Sequence, residues 1–299
     1  MNTELAIKLS GVTKTYSHFE LSNIDLELEP GRIMGFIGPN GAGKSSTIRI
    51  IMGLIQADHG VVEVLGHRMP RDQVAAKWDI GFASEDLRLY QAGTLQWHID
   101  FVKSIYPGWD DDYAKTLIRR FDLRPEQRLK GFSHGQRVKA GLLLILARRP
   151  KLLLLDEPTT GLDPVARHEV LNELVDVLND ERRTVLFSSH NTKDVEQLSD
   201  QITFIDRGHL IASQDKETFL EQWRRIRFEA PDDFVVPELP NVIESQQNGR
   251  LGSITTGRFD PALTDALQIN GAVIQSVDNM TLEEIFVTEV RANRPGEAA

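Results

Sequence analysis

Residues 32–37 are almost wholly apolar and run without a break into Gly38-Pro39-Asn40-Gly41-Ala42-Gly43-Lys44-Ser45, after which residues 46–55 follow a helical pattern. A strand that is apolar at consecutive positions needs cover on both faces, so the order strand, glycine loop, helix restricts the chain to α/β folds built on a mostly parallel sheet. The loop fits G-x-x-x-x-G-K-[ST]. Gly38, Gly41 and Gly43 let backbone N–H groups converge with no Cβ in the way. A helix starting near Gly43 adds the positive end of its dipole. Such a cradle suits a polyphosphate: Lys44 would reach the β- and γ-phosphates, the Ser45 hydroxyl would ligate Mg²⁺, Ser46 would add a donor, and Asn40 stands within the loop.

A second segment complements the first. Leu152-Leu153-Leu154-Leu155 reads as a strand buried on both faces, ending in Asp156-Glu157-Pro158. Parallel sheets present ligands at the carboxyl ends of their strands. Asp156 is then placed to hold Mg²⁺, usually through water, and Glu157 to take a proton from water attacking a γ-phosphate.

The rest of the core reads similarly. Helical patterns at 135–149, 165–179 and 192–198 alternate with short apolar strands at 151–155, 184–188 and 201–206. Ahead of the loop, 5–10 and 21–29 alternate as half-buried strands. Between about 87 and 131 strand content is weak, and Thr94 and Asp110 stand where helix caps belong, so this part reads as a helical insertion. Beyond residue 213 a helix beginning at Asp215 leads away from the core. Segments 242–246 and 251–256 flank Asn248-Gly249, a hairpin signal. Asp260-Pro261 opens a helix, 272–277 is a strand, and Thr281 caps a last helix to about Val290. The expected organisation is a core over 1–213 with a helical part at about 87–135, a linker helix at 214–224, a small α+β domain at 225–292 and a frayed tail at 293–299.

Composition narrows the classes. The formal net charge of −10 argues against a general nucleic-acid binder, although backbone dipoles capture phosphate whatever the net charge. With no cysteine, disulfides, Cys-bound zinc and thiol catalysis are excluded, and a cytosolic setting fits. Residues 1–11 lack the pattern of a signal peptide. The longest apolar runs, 142–147 and 152–155, are far shorter than the ~20 residues of a membrane-spanning helix. His18, His59, His67, His98, His168 and His209 show no metal-ligand spacing and read as surface or packed histidines. Asp110-Asp111-Asp112 reads as a solvated helix start.

Phe132-Ser133-His134-Gly135-Gln136-Arg137 adds a Ser-x-Gly-Gln at the start of a helix, between the glycine loop and the acidic strand. This resembles the signature of ATP-binding cassette (ABC) transporter ATPases. Tyr16 resembles the aromatic that stacks on adenine, Gly161-Leu162-Asp163 the D-loop, and His190 the switch histidine. The resemblance covers residues 5 to about 213. The last part, with Thr281-Leu282-Glu283-Glu284-Ile285-Phe286-Val287, is similar to the C-terminal extension of the daunorubicin-exporter-like branch.

The resemblance implies a P-loop (RecA-like) core with antiparallel N-terminal strands, and a head-to-tail pair of cassettes sandwiching two ATP molecules. Ser133, Gly135 and Gln136 of one subunit, with Asp163 in the D-loop, would complete the site that holds ATP and Mg²⁺ in the other. It also implies a partner cassette, a separate polytopic permease on whose cytoplasmic face the chain sits, and export of a substrate that the residues do not name. Two positions depart from the family pattern. His134 replaces the usual first signature glycine. Glu85 stands where a glutamine is typical, keeping an oxygen for Mg²⁺ or water but losing the amide donor. The insertion after Glu85 corresponds to the family's docking surface for its permease, where Tyr90, Trp97, Phe101, Tyr106 and Trp109 either meet the partner or pack internally. A non-transport cassette ATPase is the rival reading. A DNA-repair type would carry a long coiled coil and a ribosome-associated type two cassettes, and neither is present. A P-loop GTPase or kinase leaves Ser133–Gln136 and His190 unexplained.

Overall fold

The computed structural model describes residues 5–84, 88–178 and 183–294. It divides into two compact units, Met1–Leu210 and Ile211–Ala299. The first begins with strands Ile7–Thr15 (β1), Glu20–Leu28 (β2) and Ile33–Ile37 (β3), then helix Lys44–Ile51 (α1). Strands His59–Val64 (β4) and His67–Met69 (β5), helix Gln73–Trp78 (α2) and strand Ile80–Ser84 (β6) follow. The insertion holds Leu95–Ile105 (α3) and Asp111–Arg120 (α4), and the core resumes at His134–Leu146 (α5). After it come Leu152–Asp156 (β7), Pro164–Leu178 (α6), Thr184–Ser189 (β8), Thr192–Leu198 (α7) and Gln201–Asp206 (β9), and His209–Asp215 (β10) spans the division.

Two sheets form the first unit. β2, β1, β4 and β5 lie in that order, antiparallel. β9, β3, β8, β7 and β6 lie side by side and parallel. Every residue of β3, β7 and β8 is buried, as continuous apolar runs demand. One apolar cluster joins Leu9 and Leu26 of the first sheet to Ile48 of α1 and to Phe36 and Leu154 of the second. Each such fully buried side chain contributes about 1.5–3 kcal/mol, so the parallel strands are fixed from both sides.

Thr94 caps α3 by accepting from the Trp97 amide (3.1 Å). Asp110 caps α4 by accepting from the Tyr113 amide (2.8 Å), which holds its carboxyl below the usual range. Tyr113 donates to Glu173 of α6 (3.0 Å) and Arg120 pairs with the same buried carboxylate (2.9 Å), tying the insertion to the core. The five aromatics divide. Tyr90, Trp97 and Phe101 are exposed, the last two stacked at 5.5 Å. Tyr106 packs inward between Trp78 and Arg148, and Trp109 donates to Asp111.

The second unit contains Lys216–Gln222 (α8), Arg224–Glu229 (β11), Val242–Asn248 (β12), Leu251–Thr256 (β13), Pro261–Ile269 (α9), Val273–Asn279 (β14) and Leu282–Ala292 (α10). Its antiparallel sheet runs β12-β13-β11-β14. Ile226, Phe228, Ile254, Leu263 and Leu267 make its core. Gly252 is required beneath Phe228, since a Cβ there would lie 2.2 Å from the ring. The division falls after Leu210 rather than after 213. The helix expected as a linker belongs to this unit, with Phe219 and the following Trp223 buried and Trp223 packed on Gly257. Strands β4, β5, β6, β10 and β11 are additions to the sequence-based expectation.

Candidate active site

Strand register assembles the site. Ile37 of β3 lies beside Ser189 of β8, and Asp156 of β7 lies beside Ser188 of β8. The residues that follow each strand, Gly38, Glu157 and His190, therefore leave the sheet from one edge. Gly38 is obligatory, because a Cβ would stand 2.3 Å from the Ile205 carbonyl oxygen. Gly41 and Gly43 have φ of 81° and 114°, which favour glycine. Asn40 and Gly41 are exposed at the tip, Lys44 is buried, and Ser45 and Ser46 are half-buried.

The ammonium of Lys44 donates to the carbonyls of Gly38 (2.7 Å) and Pro39 (3.3 Å). It also lies 3.1 Å from Glu157 Oε1, an oxygen that takes no hydrogen bond from a described residue. Asp156 Oδ1 accepts from Ser45 Oγ (3.1 Å) and Ser188 Oγ (2.8 Å). Glu157 adopts φ of 53°, strained for a non-glycine residue, and its amide donates to Ser188 (3.1 Å to Oγ). Its Oε2 accepts from Thr160 Oγ1 (3.0 Å) and lies 2.8 Å from His190 Nδ1, so that nitrogen carries the hydrogen. These contacts aim one carboxylate and one ammonium at the mouth of the glycine loop.

The Ser133 segment occupies a different place. Ser133 caps α5 by accepting from the Gln136 amide (3.1 Å), and Gln136 Oε1 accepts from the Ser133 amide (2.9 Å), a reciprocal cap. Ser133 and His134 are exposed. His134 Nε2 lies 3.2 Å from the Thr160 carbonyl, and Gly135 fits against Ala166, where a Cβ would come within 3.0 Å. Asp163 accepts from the Val165 and Ala166 amides, both at 3.0 Å. The Ala166 bond is the chief cause of its lowered carboxyl pKa. A cavity of about 410 Å³ lies between these parts, lined by Arg88, His134, Arg137, Glu157 and Thr160 among others. Tyr16 is at the surface, 6.1 Å from Phe19. Glu85 lies outside the described residues.

Sequence reasoning missed Ser188 and Thr160, the hydroxyls that hold the two carboxylates. It also missed the bond from Thr159 to Asp194 (2.9 Å) that anchors the turn after Glu157. A serine ending an apolar strand beside an acidic one was the available signal.

A glycine cradle with its lysine, two carboxylates and a histidine on one edge of a parallel sheet, flanked by an antiparallel sheet and a helical insertion, define a P-loop nucleotide hydrolase of the cassette class. The family model described as ABC transporter matches residues 21–160. YtrB of Bacillus subtilis (strain 168), an ABC transporter ATP-binding protein, is 28% identical over 92% of this chain and 94% of its own. The linearmycin resistance ATP-binding protein LnrL of the same organism is 33% identical over 69% and 68%. The daunorubicin resistance ATP-binding protein DrrA3 of Streptomyces coeruleorubidus is 33% identical over 70% and 68%. Among solved structures, an ATP-binding subunit of an ABC transporter superposes with a TM-score of 0.65 at 24% identity, covering 73% of this chain and 92% of that one. The chain belongs to the ATP-binding subunits of ABC transporters, and it is an ATP hydrolase. Among the described residues no helix is long and apolar enough to cross a membrane.

Proposed function

We propose that two cassettes pair head to tail and hydrolyse ATP between them to drive export of a solute through a separate membrane permease. One observation carries the reading. Lys44, Ser45, Asp156, Glu157 and His190 converge at one sheet edge, whereas the exposed N-terminus of α5 bonds to Thr160 and leans on Ala166. A helix N-terminus with free backbone donors is an anion site, and here it is offered outward. In a second copy, Ser133 and Gly135 meet the γ-phosphate that Lys44 grips, so ATP joins the pair and its hydrolysis releases it.

Within one site the residues divide the work. The loop amides and Lys44 hold the phosphates, and Tyr16 offers its face to the adenine. Glu157, held by Thr160 and His190, accepts the proton of the attacking water. Ser45 Oγ and Asp156 Oδ1, 3.1 Å apart, are oxygen donors of the type Mg²⁺ prefers. The ion, when bound, neutralises developing phosphate charge. Exposed Tyr90, Trp97 and Phe101 and the rest of the insertion form the face offered to the permease, which keeps the chain at the inner side of the membrane. The names of LnrL and DrrA3 as resistance proteins support export.

Glu157→Gln tests the reading. The variant should bind Mg·ATP, accumulate as a dimer in light scattering, and hydrolyse about 10²–10⁴-fold more slowly. A monomer at saturating Mg·ATP, or normal turnover, would overturn it. Co-purification of the native chain with a polytopic membrane protein should accompany these results.

A further inference from the structure

The turn that follows the acidic strand is held from two sides. Thr159 is buried and donates to Asp194 of α7 (2.9 Å), which Arg167 of α6 also engages, so that side is locked into the core. Thr160 lines the cavity instead, and its three polar groups are all used. Its amide donates to the Glu157 carbonyl (3.2 Å), and its hydroxyl donates to Glu157 Oε2 (3.0 Å). Its carbonyl lies 3.2 Å from His134 Nε2, and no other donor among the described residues reaches that oxygen. A carbonyl only accepts, so Nε2 carries the ring hydrogen.

The backbone makes room for this contact. Gly161 has φ of 71°, and a Cβ there would stand 3.2 Å from His134 Nε2. A glycine at position 134 would offer no side chain to Thr160. The carboxylate at the far end needs its restraints, because Glu157 sits at φ of 53°, an unfavourable conformation for a residue with a side chain. Of the two groups on Oε2, the His190 side chain is 50% exposed, where water competes for the bond. Thr160 is the more sheltered, half-buried partner.

We propose that His134 is a positioning residue for the base of its own chain. It fixes the Thr160 carbonyl, the Thr160 hydroxyl fixes Glu157 Oε2, and the carboxylate is thereby aimed. Ser133 and Gly135 flank His134, so the segment that closes a neighbouring chain's ATP also sets the carboxylate that works on its own. The link within one chain holds whether or not cassettes pair, and its meaning for the neighbouring site rests on the head-to-tail reading.

The full chain tests this in two stages. In the homogeneous protein His134→Ala should lower kcat about 3- to 10-fold, the value of one neutral hydrogen bond. KM should barely move, since Lys44 and the loop amides are untouched. His134→Gln, whose amide nitrogen can stand where Nε2 does, should recover most of the rate. In the second stage a chain with intact Glu157 is mixed with a large excess of a Glu157→Gln companion before Mg·ATP is added, and the first turnover is timed by rapid quench. The loss from His134→Ala should follow the substitution into the chain that carries Glu157, not into the companion. Full kcat in the alanine variant, equal losses in the alanine and glutamine variants, or a loss confined to the companion would overturn the proposal. Ser133→Ala in the companion reports separately on pairing: it should slow the intact chain, and no slowing would count against the head-to-tail reading while the His134 result stands by itself.

Discussion

Ser188→Ala isolates the residue that couples the two carboxylates. Its side chain is wholly buried and does two things: it donates to Asp156 (2.8 Å) and accepts from the Glu157 amide (3.1 Å). The first bond is to a charged group, worth about 1.5–3 kcal/mol, and the second is a neutral bond of about 1 kcal/mol. Neither partner is orphaned by the change. Asp156 keeps Ser45 and the Glu157 amide keeps the Ser188 carbonyl at 3.2 Å. The net loss should therefore fall near the lower sum, about 2–3 kcal/mol. For a unit of this size each kcal/mol lowers Tm by about 2–4 °C, so the first unit should melt about 4–12 °C earlier. The catalytic effect follows from position. Glu157 is held at positive φ, and releasing one restraint lets its carboxylate drift. A misplacement of about 1 Å costs up to about 10²-fold in rate. Steady-state ATPase assays at 20 °C below the lowered Tm should show kcat reduced about 10- to 100-fold. KM should move much less, since Lys44 and the loop amides are untouched. A variant with full kcat would refute the claim that Ser188 positions the base, and an unchanged Tm would refute the energetic argument.

Lys44→Ala should weaken ATP binding by about 10- to 150-fold, the value of a charged hydrogen bond to phosphate, in a fluorescent-nucleotide titration, and unchanged affinity would contradict the contact. Tyr113→Phe removes one of the bonds to buried Glu173 and should cost about 1–3 kcal/mol in urea unfolding. Because burial, reinforced by the Glu173 charge, pushes the Tyr113 hydroxyl up to about 12, no tyrosinate from this residue should appear in an absorbance titration below pH 11. Burial holds the Glu289 carboxyl above its ordinary range, so the folded chain favours its neutral form. That preference penalises folding progressively as pH rises from the ordinary carboxylate value through the raised one. Glu289→Gln should therefore resist urea better than the parent at pH 7, and equally at about pH 3 where both carboxyl states are neutral.

The glycine loop and the acidic strand end were legible because their chemistry sits at fixed spacing along the chain, and short spacing is geometry. His190 could be placed only through family resemblance, since a lone histidine after a strand has no local signal. Ser188 and Thr160 stayed hidden for a related reason. Their roles come from the pairing of β7 with β8 and from the turn after Glu157, neither of which shows in a small polar residue's neighbours. Strand β11 (RRIRFE) alternates arginines with apolar residues and resembles a charged connector until its partners β13 and β14 are known. The helix before it reads as a linker in sequence, because nothing local to Phe219 and Trp223 signals that both are buried.

The pairing of Asp156 with Ser188, and of Ile37 with Ser189, makes the catalytic centre unusually intolerant of length change. One amino acid added anywhere in β7 would reverse which side each later side chain points to, turning both acids from their partners while leaving composition, charge and motif intact. The same addition between α3 and α4 would be absorbed by a surface bend. Across natural variants of this chain, insertions should therefore accumulate around the helices and vanish from the five parallel strands.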